Sequence, residues 1–505
     1  MAPEKPCVLA CDIGTGGVKV AVYDAGIHLL DKEFVPYHST YPGPEMVEQD
    51  PEAWWDGITE ATKRIIARNG DVARRIAAIA VDAMSPVLVA CDARGNALRP
   101  AIIWMDRRTT EQCARINEVI GDDLFRITGN HNDPSNFAPK AMWLREHEGS
   151  TYARTAVLHT ASGYVVHRLT GTAIMDVTQC GLSQLCATER SAWDAQLVEG
   201  CGLNREKLPE IVESAHIAGQ LTDNAARQLH LPSGTPVVAG SMDNVAAGLG
   251  LGVTDNHEAY VSAGTATNLC VCSDSPRSNR AFHLYRHIMP NRFLSVAGVD
   301  YGGAGVKWFK ELLEEVSYRH IDEMADAAMR SPLPLLYLPY LVGQRAPLWD
   351  STTTGVLLGL HPSTSRNELF RALMEGNALG LQQVLTIFSR EGFPVTAARM
   401  TGGASQSRTY AGICADALGI PLEIFDDGDV AVRGTAITAL VASEVQPSWE
   451  SAVAGLRARH IVQPDPVRHR YFREMGELFA ATYEDLKKHF ATLERIRTEH
   501  REDNP

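Results

Sequence analysis

Two segments of the chain, almost half its length apart, share one pattern of apolar and polar positions. Residues 7–23 read CVLACDIGTGGVKVAVY and residues 259–272 read AYVSAGTATNLCVC. In each segment apolar runs rich in β-branched residues flank a Gly-Thr pair, at positions 14–15 and 264–265. Such runs on either side of a glycine, which tolerates positive φ, are typical of β-hairpins. The pattern therefore predicts one hairpin in each half of the chain.

Each hairpin begins a segment in which the pattern predicts further strands and amphipathic helices. In the first half these are strands at 76–81 and 87–91 and a helix at 54–68; in the second half they are a strand at 335–341 and helices at 368–389 and 467–497. The loose repeat predicts two similar α/β domains that face each other across a central cleft. The Gly-rich segment GLGLG ends near the expected boundary, which gives domains at 1–252 and 253–505. The alternative interpretation of the repeat is that it has no such meaning, because any α/β protein can contain two glycine-bearing hairpins.

Composition narrows the class of protein. The chain has 505 residues, too many for one hydrophobic core, with 45% hydrophobic and 21% charged residues. A net charge of −14 argues against nucleic acid as a partner, because such binders need a basic face. No apolar run approaches the length of a membrane span, and the first residues do not form a signal peptide. Ten scattered cysteines without a C-x-x-C pair fit reduced core thiols. We therefore expect a cytoplasmic protein without a membrane partner.

The first hairpin turn has the residue types of a phosphate-binding loop. Glycines at 16 and 17 let backbone N–H groups approach an anion, Thr15 adds a hydroxyl, and Lys19 adds positive charge. Asp12, at the end of a buried strand, is placed to hold Mg²⁺, which takes few carboxylates and keeps several waters. Alone, the Gly-Thr-Gly-Gly sequence also fits an ordinary tight turn.

A second candidate lies at residues 235–250, TPVVAGSMDNVAAGLG, which read as strand, short turn and helix. Asp243 falls at or just before the helix start, where free N–H groups and the helix dipole favour its ionised form. An ionised aspartate at the end of a strand can accept a proton from a hydroxyl that attacks phosphorus. The competing interpretation is an ordinary helix-capping aspartate.

These motifs, in this order, resemble the FGGY carbohydrate kinases, most closely their xylulokinase-like branch. The resemblance runs from about residue 8 to the helix after residue 434. It rests on Asp-x-Gly-Thr at 12–15, Gly-x-x-Asp-Asn at 240–244, Gly-Thr at 264–265, Gly-Gly before Trp-Phe at 302–309, Pro-Tyr-Leu-x-Gly at 339–343, Gly-x-Leu-x-Gly-Leu from 355 and Gly-Gly-Ala at 402–404. It implies two RNase H-like domains of the actin/hexokinase-like ATPase kind.

The resemblance implies an ATP- and Mg²⁺-dependent kinase with Asp243 as the catalytic base. Asp12 and Asp243 would hold the metal. The residues implied near the phosphates are Thr15, Gly16, Gly17, Lys19, Gly264 and Thr265. Those implied around the nucleoside are Gly303, Gly402, Gly403 and Ser407.

The sugar site is implied in the first half. Trp104, Asp106 and Arg108 match the Trp-x-Asp-x-Arg motif of the family, with the tryptophan as an apolar wall and the two charged residues near hydroxyls. Taken alone, the pentad at 104–108 also fits a surface salt-bridge cluster. Met84, Ser85 and Asn244 are also implied at the sugar site. Met84-Ser85 stands where relatives usually carry Met-His, and Asn244 directly follows the base.

Several residues depart from the family pattern, most of them on the sugar side or the interdomain surface. Ser85 replaces the histidine, Gly163 stands where relatives carry an aspartate, and Gln344 replaces a glutamate. Together they predict a retained reaction with an altered substrate. The leading expectation is a pentulose such as D-xylulose; gluconate, erythritol or another polyol, L-ribulose and L-fuculose stay open. A non-catalytic ATP-binding regulator on the same fold is the distant alternative. Dimers are common among proteins that resemble this one.

Overall fold

The structure is a computed structural model that describes residues 5–312, 316–330, 334–425 and 428–501. The chain forms two α/β halves, each built on a mixed sheet of seven strands, so the prediction of two α/β domains is confirmed. Among the described helices, none is both long and apolar enough to cross a membrane.

The first half contains the following elements. Its strands are β1 (Cys7–Gly14), β2 (Gly17–Asp24), β3 (Leu29–Pro36), β4 (Glu48–Gln49), β5 (Ile76–Ala83), β6 (Val89–Cys91), β7 (Ala101–Ile102), β8 (Val157–His159), β9 (Ile174–Asp176), β10 (Cys186–Ala187), β11 (Ala192–Trp193), β12 (Glu210–Val212), β13 (Ile217–Gln220), β14 (Pro236–Val238) and β15 (Ser241–Met242). Its helices are α1 (Pro51–Arg68), α2 (Val72–Arg75), α3 (Thr110–Val119), α4 (Asp122–Thr128), α5 (Phe137–His147), α6 (Gly149–Arg154), α7 (Ala161–Thr170), α8 (Cys180–Ser183), α9 (Ala195–Gly200), α10 (Asp223–Leu229) and α11 (Asp243–Gly250).

The second half begins with the other predicted hairpin. Its strands are β16 (Ala259–Ala263), β17 (Thr267–Ser273), β18 (His283–Arg286), β19 (Phe293–Val299), β20 (Leu336–Leu338), β21 (Val356–Leu358), β22 (Ala398–Thr401), β23 (Leu422–Ile424) and β24 (His460–Val462). Its helices are α12 (Gly302–Leu312), α13 (Tyr318–Ala327), α14 (Arg366–Arg390), α15 (Arg408–Leu418), α16 (Val430–Ala442), α17 (Trp449–Val453) and α18 (Pro466–Arg501).

Both predicted hairpins and all three long predicted helices are confirmed. Strand β1 pairs antiparallel with β2, and β16 pairs antiparallel with β17. Helices α1, α14 and α18 cover the predicted ranges within a few residues. The strand predicted at 335–341 is shorter, because β20 ends at Leu338 and the next residue, Pro339, has no N–H to continue a ladder.

The first sheet has the strand order β13-β14-β5-β1-β2-β3, with β15 paired to β5. Strands β1, β5 and β14 run parallel to each other, so their carboxyl ends meet at one edge. The alternate apolar positions of β1 and β5 are buried on both faces of the sheet. One face packs against α1 and α7, and the other packs against α16 of the second half. The second sheet has the order β18-β19-β17-β16-β22-β23-β24.

Two helices cross between the halves without space for side chains at the crossing. A Cβ atom on Gly250 of α11 would lie 1.8 Å from the carbonyl oxygen of Val430 on α16, and one on Gly434 of α16 would lie 1.9 Å from that of Ala246 on α11. Helix α11 follows the last strand of the first half but packs in a core with strands of the second sheet, while α16 packs on the first sheet. The two halves are therefore joined by an exchange of helices.

The described ranges hold all ten cysteines, and each of these is buried with a free thiol. This agrees with the interpretation of the cysteines as core residues.

Candidate active site

Three aspartates gather at the edge of the first sheet where parallel strands end. Asp12 lies near the end of β1 and is directly opposite Asp82 near the end of β5. Strand β15 pairs with β5 so that Met242 is opposite Ala83, and Asp243 follows as the first residue of α11. The predicted helix start is thus confirmed. The capping residue is Met242, so the alternative of Asp243 as a capping aspartate is wrong.

Asp82 is a site residue that the sequence analysis missed. It lies at the end of the apolar run IAAIAVDA, which repeats the pattern that identified Asp12. This repeated pattern is the sequence feature from which Asp82 could have been predicted. Its Oδ2 accepts a hydrogen bond from the hydroxyl of Thr435 on α16, whereas its Oδ1 receives none from the described residues. The side chains of Asp12 and Asp82 lie within hydrogen-bonding reach of each other. Two facing carboxylates need a proton or a cation between them.

Burial dominates the electrostatics of these carboxyl groups. It raises the pKa of Asp12 and, together with the charge of Asp12, raises the pKa of Asp82 well above the usual range. For Asp243, burial and the charge of Asp12 raise the pKa to about 7, although the backbone N–H of Asn244 donates to its Oδ1 at 2.6 Å. The expected effect of the helix start is present, since this N–H lowers the pKa, but one hydrogen bond does not outweigh the loss of solvation.

The turn between β1 and β2 is held by side chains around it. Gln49 Nε2 donates to the carbonyl of Thr15 at 2.8 Å, and the Tyr37 hydroxyl donates to the carbonyl of Gly14. A Cβ on Gly16 would meet no atom within 4 Å, which leaves open space beside the backbone. At Gly17 a Cβ would lie 2.6 Å from the Val35 carbonyl, so packing against β3 already requires that glycine.

Lys19, predicted to neutralise phosphate charge, contacts the second half in this structure. Its ammonium donates to the carbonyl of Gly428 at 2.9 Å and lies 3.2 Å from Asp429 Oδ1. The side chain therefore has protein partners rather than a phosphate, and it ties β2 to the start of α16.

The predicted nucleotide residues collect around the second hairpin. A Cβ on Gly303 would lie 2.2 Å from the carbonyl oxygen of Gly264, and the backbone N–H of Ala304 donates to the Thr265 carbonyl at 3.1 Å. Gly402, with φ of +98°, approaches the hairpin so closely that a Cβ would lie 2.5 Å from the Ala263 carbonyl. These glycines let α12 and the end of β22 reach the turn.

The other two predicted nucleoside residues differ in their surroundings. A Cβ on Gly403 would meet nothing within 4 Å, so this backbone borders open space. Ser407 caps α15 by accepting from the N–H of Tyr410 at 3.0 Å, and its hydroxyl donates to Asp322 Oδ1 at 2.6 Å. Its hydroxyl proton is thus already used within the protein.

On the predicted sugar side, Trp104 contacts the phosphate-loop candidate directly. Its indole N–H donates to Thr15 Oγ1 at 2.9 Å. Met84 lies in the core, with its backbone N–H on the carbonyl of Ile13. Ser85 donates to Gln179 Oε1 at 2.6 Å. Trp104 and Ser85 therefore remain partly exposed near the carboxylate edge, whereas the side chain of Met84 belongs to the core of the first half.

Asp106 and Arg108 form a buried ion cluster. Both Asp106 oxygens accept from the Arg108 guanidinium, and Oδ2 also accepts from the backbone N–H of Val47 at 2.6 Å. Arg108, with a side chain only 3% exposed, also pairs with Glu48. The expectation that Asp106 and Arg108 bond sugar hydroxyls is wrong for this arrangement, because bidentate pairing occupies their hydrogen-bonding groups. The alternative of a salt-bridge cluster holds, although the cluster is buried rather than on the surface.

Two departures from the family pattern have structural reasons. A Cβ on Gly163 would lie 2.7 Å from the carbonyl oxygen of Ile174, so the approach of α7 to β9 excludes a side chain there. Gln344 is 3% exposed; its Nε2 donates to the carbonyls of Gly298 and Ala346, and its Oε1 accepts from the N–H of Asp300. A glutamate at 344 would place a carboxylate against two carbonyl oxygens.

The edge at Asp12, Asp82 and Asp243 fits a cation and an anion together. Within the described ranges, no group of three or more His, Cys, Asp or Glu side chains is arranged to hold a metal by itself. Mg²⁺ needs no such cage, since it uses one or two carboxylates and completes its shell with waters and phosphate oxygens. The facing side chains of Asp12 and Asp82 offer the carboxylates that Mg²⁺ uses. The open space beside the backbones of Gly16 and Gly403 leaves room for the phosphate oxygens.

Comparison with known proteins gives full-length matches. Residues 7–250 match the N-terminal domain of the "FGGY family of carbohydrate kinases", and residues 259–443 match its C-terminal domain. The chain is 27% identical to a xylulose kinase of Escherichia coli (strain K12) over 95% of this chain and 99% of that one. The crystal structure of a xylulose kinase from Rhodospirillum rubrum has a TM-score of 0.89 at 25% identity, covering 96% of this chain and all (100%) of the other. Plasmodium falciparum glycerol kinase with ADP has a TM-score of 0.87 at 19% identity, with 95% and 98% covered.

Proposed function

Because the chain belongs to the FGGY family of carbohydrate kinases, we propose that it transfers the γ-phosphoryl group of MgATP to a hydroxyl of a pentulose such as D-xylulose. The observation that carries this proposal is the position of Asp243, at the same sheet edge as Asp12 and the turn between β1 and β2. The similarity to xylulose kinases supports the substrate class, and the ADP-bound glycerol kinase supports the nucleotide.

Asp243 is the proposed general base. Its carboxylate would take the proton of the attacking sugar hydroxyl as that oxygen bonds to the γ-phosphorus and the bond to the leaving ADP oxygen breaks. A pKa of about 7, raised by burial, suits this task, since an ideal base titrates near the operating pH. The anionic and neutral forms of Asp243 are then both accessible during one turnover.

The two hairpin turns are the proposed phosphate site. Backbone N–H groups near Thr15, Gly16, Gly264 and Thr265 would donate to phosphate oxygens, as glycine-rich turns do elsewhere. Gly303, Gly402 and Gly403 would border the nucleoside. The two domains that carry these turns would be residues 1–252 and 253–505. Bound Mg²⁺ would offset the negative charge of the phosphates, with Asp12 and Asp243 oriented toward it and Asp82 beside Asp12.

The proposed sugar site lies between Trp104, Ser85 and Asn244. Trp104 offers an apolar face for C–H groups, and Ser85 and the Asn244 amide offer polar atoms for hydroxyls. Asp106 and Arg108 would act indirectly, since their ion cluster fixes the loop that carries Trp104. A pocket of this kind discriminates by hydroxyl placement more strongly than by chain length.

The first experiment is an ADP-coupled assay of the purified protein with MgATP and a panel of acceptors. The panel contains D-xylulose, L-ribulose, L-fuculose, gluconate and erythritol. We expect D-xylulose to give the highest kcat/KM. A higher value for another acceptor would reassign the substrate within the family, and ATP turnover that no carbohydrate stimulates would contradict the proposal.

The second experiment replaces the proposed base. Asp243→Ala is expected to lower kcat by at least about 10³-fold, because it removes general-base catalysis and a site carboxylate, while the affinity for the nucleotide changes little. Asp56→Ala, at an exposed aspartate of α1, is the control and should keep wild-type activity. Substantial turnover by Asp243→Ala would remove Asp243 from its proposed role.

A further inference from the structure

A short turn of the first half contacts both the sugar side and the base segment. Residues Val177–Gln179 form a 3₁₀ turn directly after β9, and Asp176 caps it by accepting from the N–H of Thr178 at 3.0 Å. Asp176 and Thr178 are fully buried, and Gln179 is 2% exposed. None of these residues belongs to the motifs that identified the site.

The direction of the Thr178 hydroxyl follows from its partners. A threonine hydroxyl has one proton to donate, and here it donates to Asp176 Oδ1. Its lone pairs then accept the backbone N–H of Met242 at 2.9 Å, across 64 residues of chain. Asp176 accepts a further hydrogen bond from Ser162 at 3.2 Å, which fixes its other oxygen. The carboxylate therefore orients the hydroxyl so that a lone pair of its oxygen faces the N–H of Met242.

Met242 precedes Asp243 and is the capping residue of α11, where no side chain caps the helix start. Its N–H is buried, so Thr178 is the group that fixes the backbone immediately before Asp243. On the other side of the same turn, Gln179 Oε1 accepts from the hydroxyl of Ser85 at 2.6 Å. One buried turn thus contacts the segment that carries the proposed base and the loop that carries Ser85.

We propose that Thr178, oriented by Asp176, is a positioning residue for phosphoryl transfer, which holds the backbone at Met242 so that Asp243 meets the sugar hydroxyl held near Ser85. This inference rests on the proposed kinase function. Catalysis by a fixed base depends steeply on geometry, and a displacement of about 1 Å can lower the rate about 10²-fold. Loss of the hydroxyl would release the start of α11 while every residue of the proposed phosphate site stays intact.

The test compares three threonine variants with the wild type in the ADP-coupled assay. Thr178→Val keeps the shape of the side chain but neither donates to Asp176 nor accepts from Met242. Thr178→Ser keeps the hydroxyl. Thr188→Val is the matched control, because Thr188 is also buried and its hydroxyl donates to a carbonyl, that of Thr128, away from the site.

We expect Thr178→Val to lower kcat about 10- to 100-fold with the KM for ATP changed less than about twofold. Thr178→Ser should stay within about threefold of the wild type, and Thr188→Val should lose thermal stability without this loss of kcat. If Thr178→Val does not fold, Thr178→Ala, which also lacks the hydroxyl but introduces no bulk, replaces it with the same expected kcat.

Equal kcat values for Thr178→Val and Thr188→Val, with an active wild type, would overturn the positioning role and leave the kinase function standing. A wild type that releases no ADP in response to any carbohydrate would instead overturn the proposed function itself. A fall in kcat that Thr178→Ser shares fully would also count against the inference, since the hydroxyl is then not the deciding group.

Discussion

At the residue scale, the proposed chemistry depends on a carboxylate whose surroundings oppose its charge. Asp243 receives one backbone N–H, from Asn244, and has the charge of Asp12 nearby. Burial and this neighbouring charge raise its pKa to about 7. The protonated form therefore accumulates as the pH falls below neutrality, and only the deprotonated form accepts a proton from a sugar.

This leads to a prediction about pH. The base must be deprotonated to act, so kcat/KM for the sugar should rise with pH through about 7 and level off above it. With a pKa of about 7, the deprotonated fraction increases roughly tenfold between pH 6 and pH 8. The measurement is the pH profile of kcat/KM at saturating MgATP, with the coupling enzymes in excess at each pH. A profile that is flat or falls over this range would contradict the assignment of the raised pKa to the base.

Trp104 gives a second prediction at this scale. Its indole N–H is the donor to Thr15 Oγ1, and so it joins the proposed sugar wall to the proposed phosphate loop. Trp104→Phe keeps an aromatic face but removes the donor. We expect the KM for the sugar to change little and kcat to fall about tenfold, which corresponds to about 1.4 kcal/mol of lost orientation.

The matched control is Trp193→Phe. Trp193 is also partly buried, and its indole N–H donates to the carbonyl of Pro209 at 2.7 Å on another part of the first half. The Trp193→Phe variant should retain the wild-type kcat. If both variants behave alike, the bond between Trp104 and Thr15 has no part in turnover.

At the scale of the elements, the crossing of α11 and α16 sets the distance between the halves. Gly250 and Gly434 each sit against a carbonyl oxygen of the opposite helix at a separation that no Cβ tolerates. Asp243 is the first residue of α11, and Thr435, next to Gly434, donates to Asp82. The crossing therefore positions two of the three site carboxylates.

Gly434→Ala should consequently destabilise the protein. Its Cβ would lie 1.9 Å from the Ala246 carbonyl, and backbone cannot move aside as a flexible side chain can. We expect a loss of about 3 kcal/mol or more, seen as a lower Tm and a lower yield of soluble protein. Gly412→Ala on α15 is the control, because its Cβ would meet no atom within 4 Å; there we expect a neutral effect or a gain of about 0.5–1 kcal/mol. Equal Tm values for the two variants would show that the helices separate without penalty.

The elements also show what the sequence could predict. Local periodicity can be read directly from the sequence, and it predicted five elements: hairpins β1–β2 and β16–β17 and helices α1, α14 and α18. Asp82 was missed because its role depends on parallel pairing of β5 with β1 across more than sixty residues. For Asp106 and Arg108 a salt-bridge cluster was an open alternative, but its burial was not predictable, since the third member, Glu48, lies on β4. Residue types near the site were predictable, but their partners were not.

At the scale of the whole molecule, the halves meet at a second place besides the helix crossing. The side-chain amide of Asn130, after α4, bonds to both backbone groups of Leu284 on β18, donating to its carbonyl at 2.8 Å and accepting from its N–H at 3.0 Å. Both residues are at most 2% exposed. Asn130 thus acts as one more pairing unit at the edge of the second sheet, and it couples the first half to that sheet.

Asn130→Ala should weaken this coupling. It leaves the buried backbone groups of Leu284 without partners, which costs about 1–3 kcal/mol, and the loss falls on a contact between the halves. In the wild type, MgATP bound as proposed, with its nucleoside in the second half, should raise the unfolding temperature of the whole protein, because coupled halves unfold together. In Asn130→Ala, calorimetry should show a broader or divided transition, of which only one part responds to MgATP. Asn132→Ala, whose amide donates to the carbonyl of Cys113 within the first half, should keep a single responsive transition. If both variants keep one transition that shifts equally with MgATP, then the contact between Asn130 and Leu284 has no part in coupling the halves.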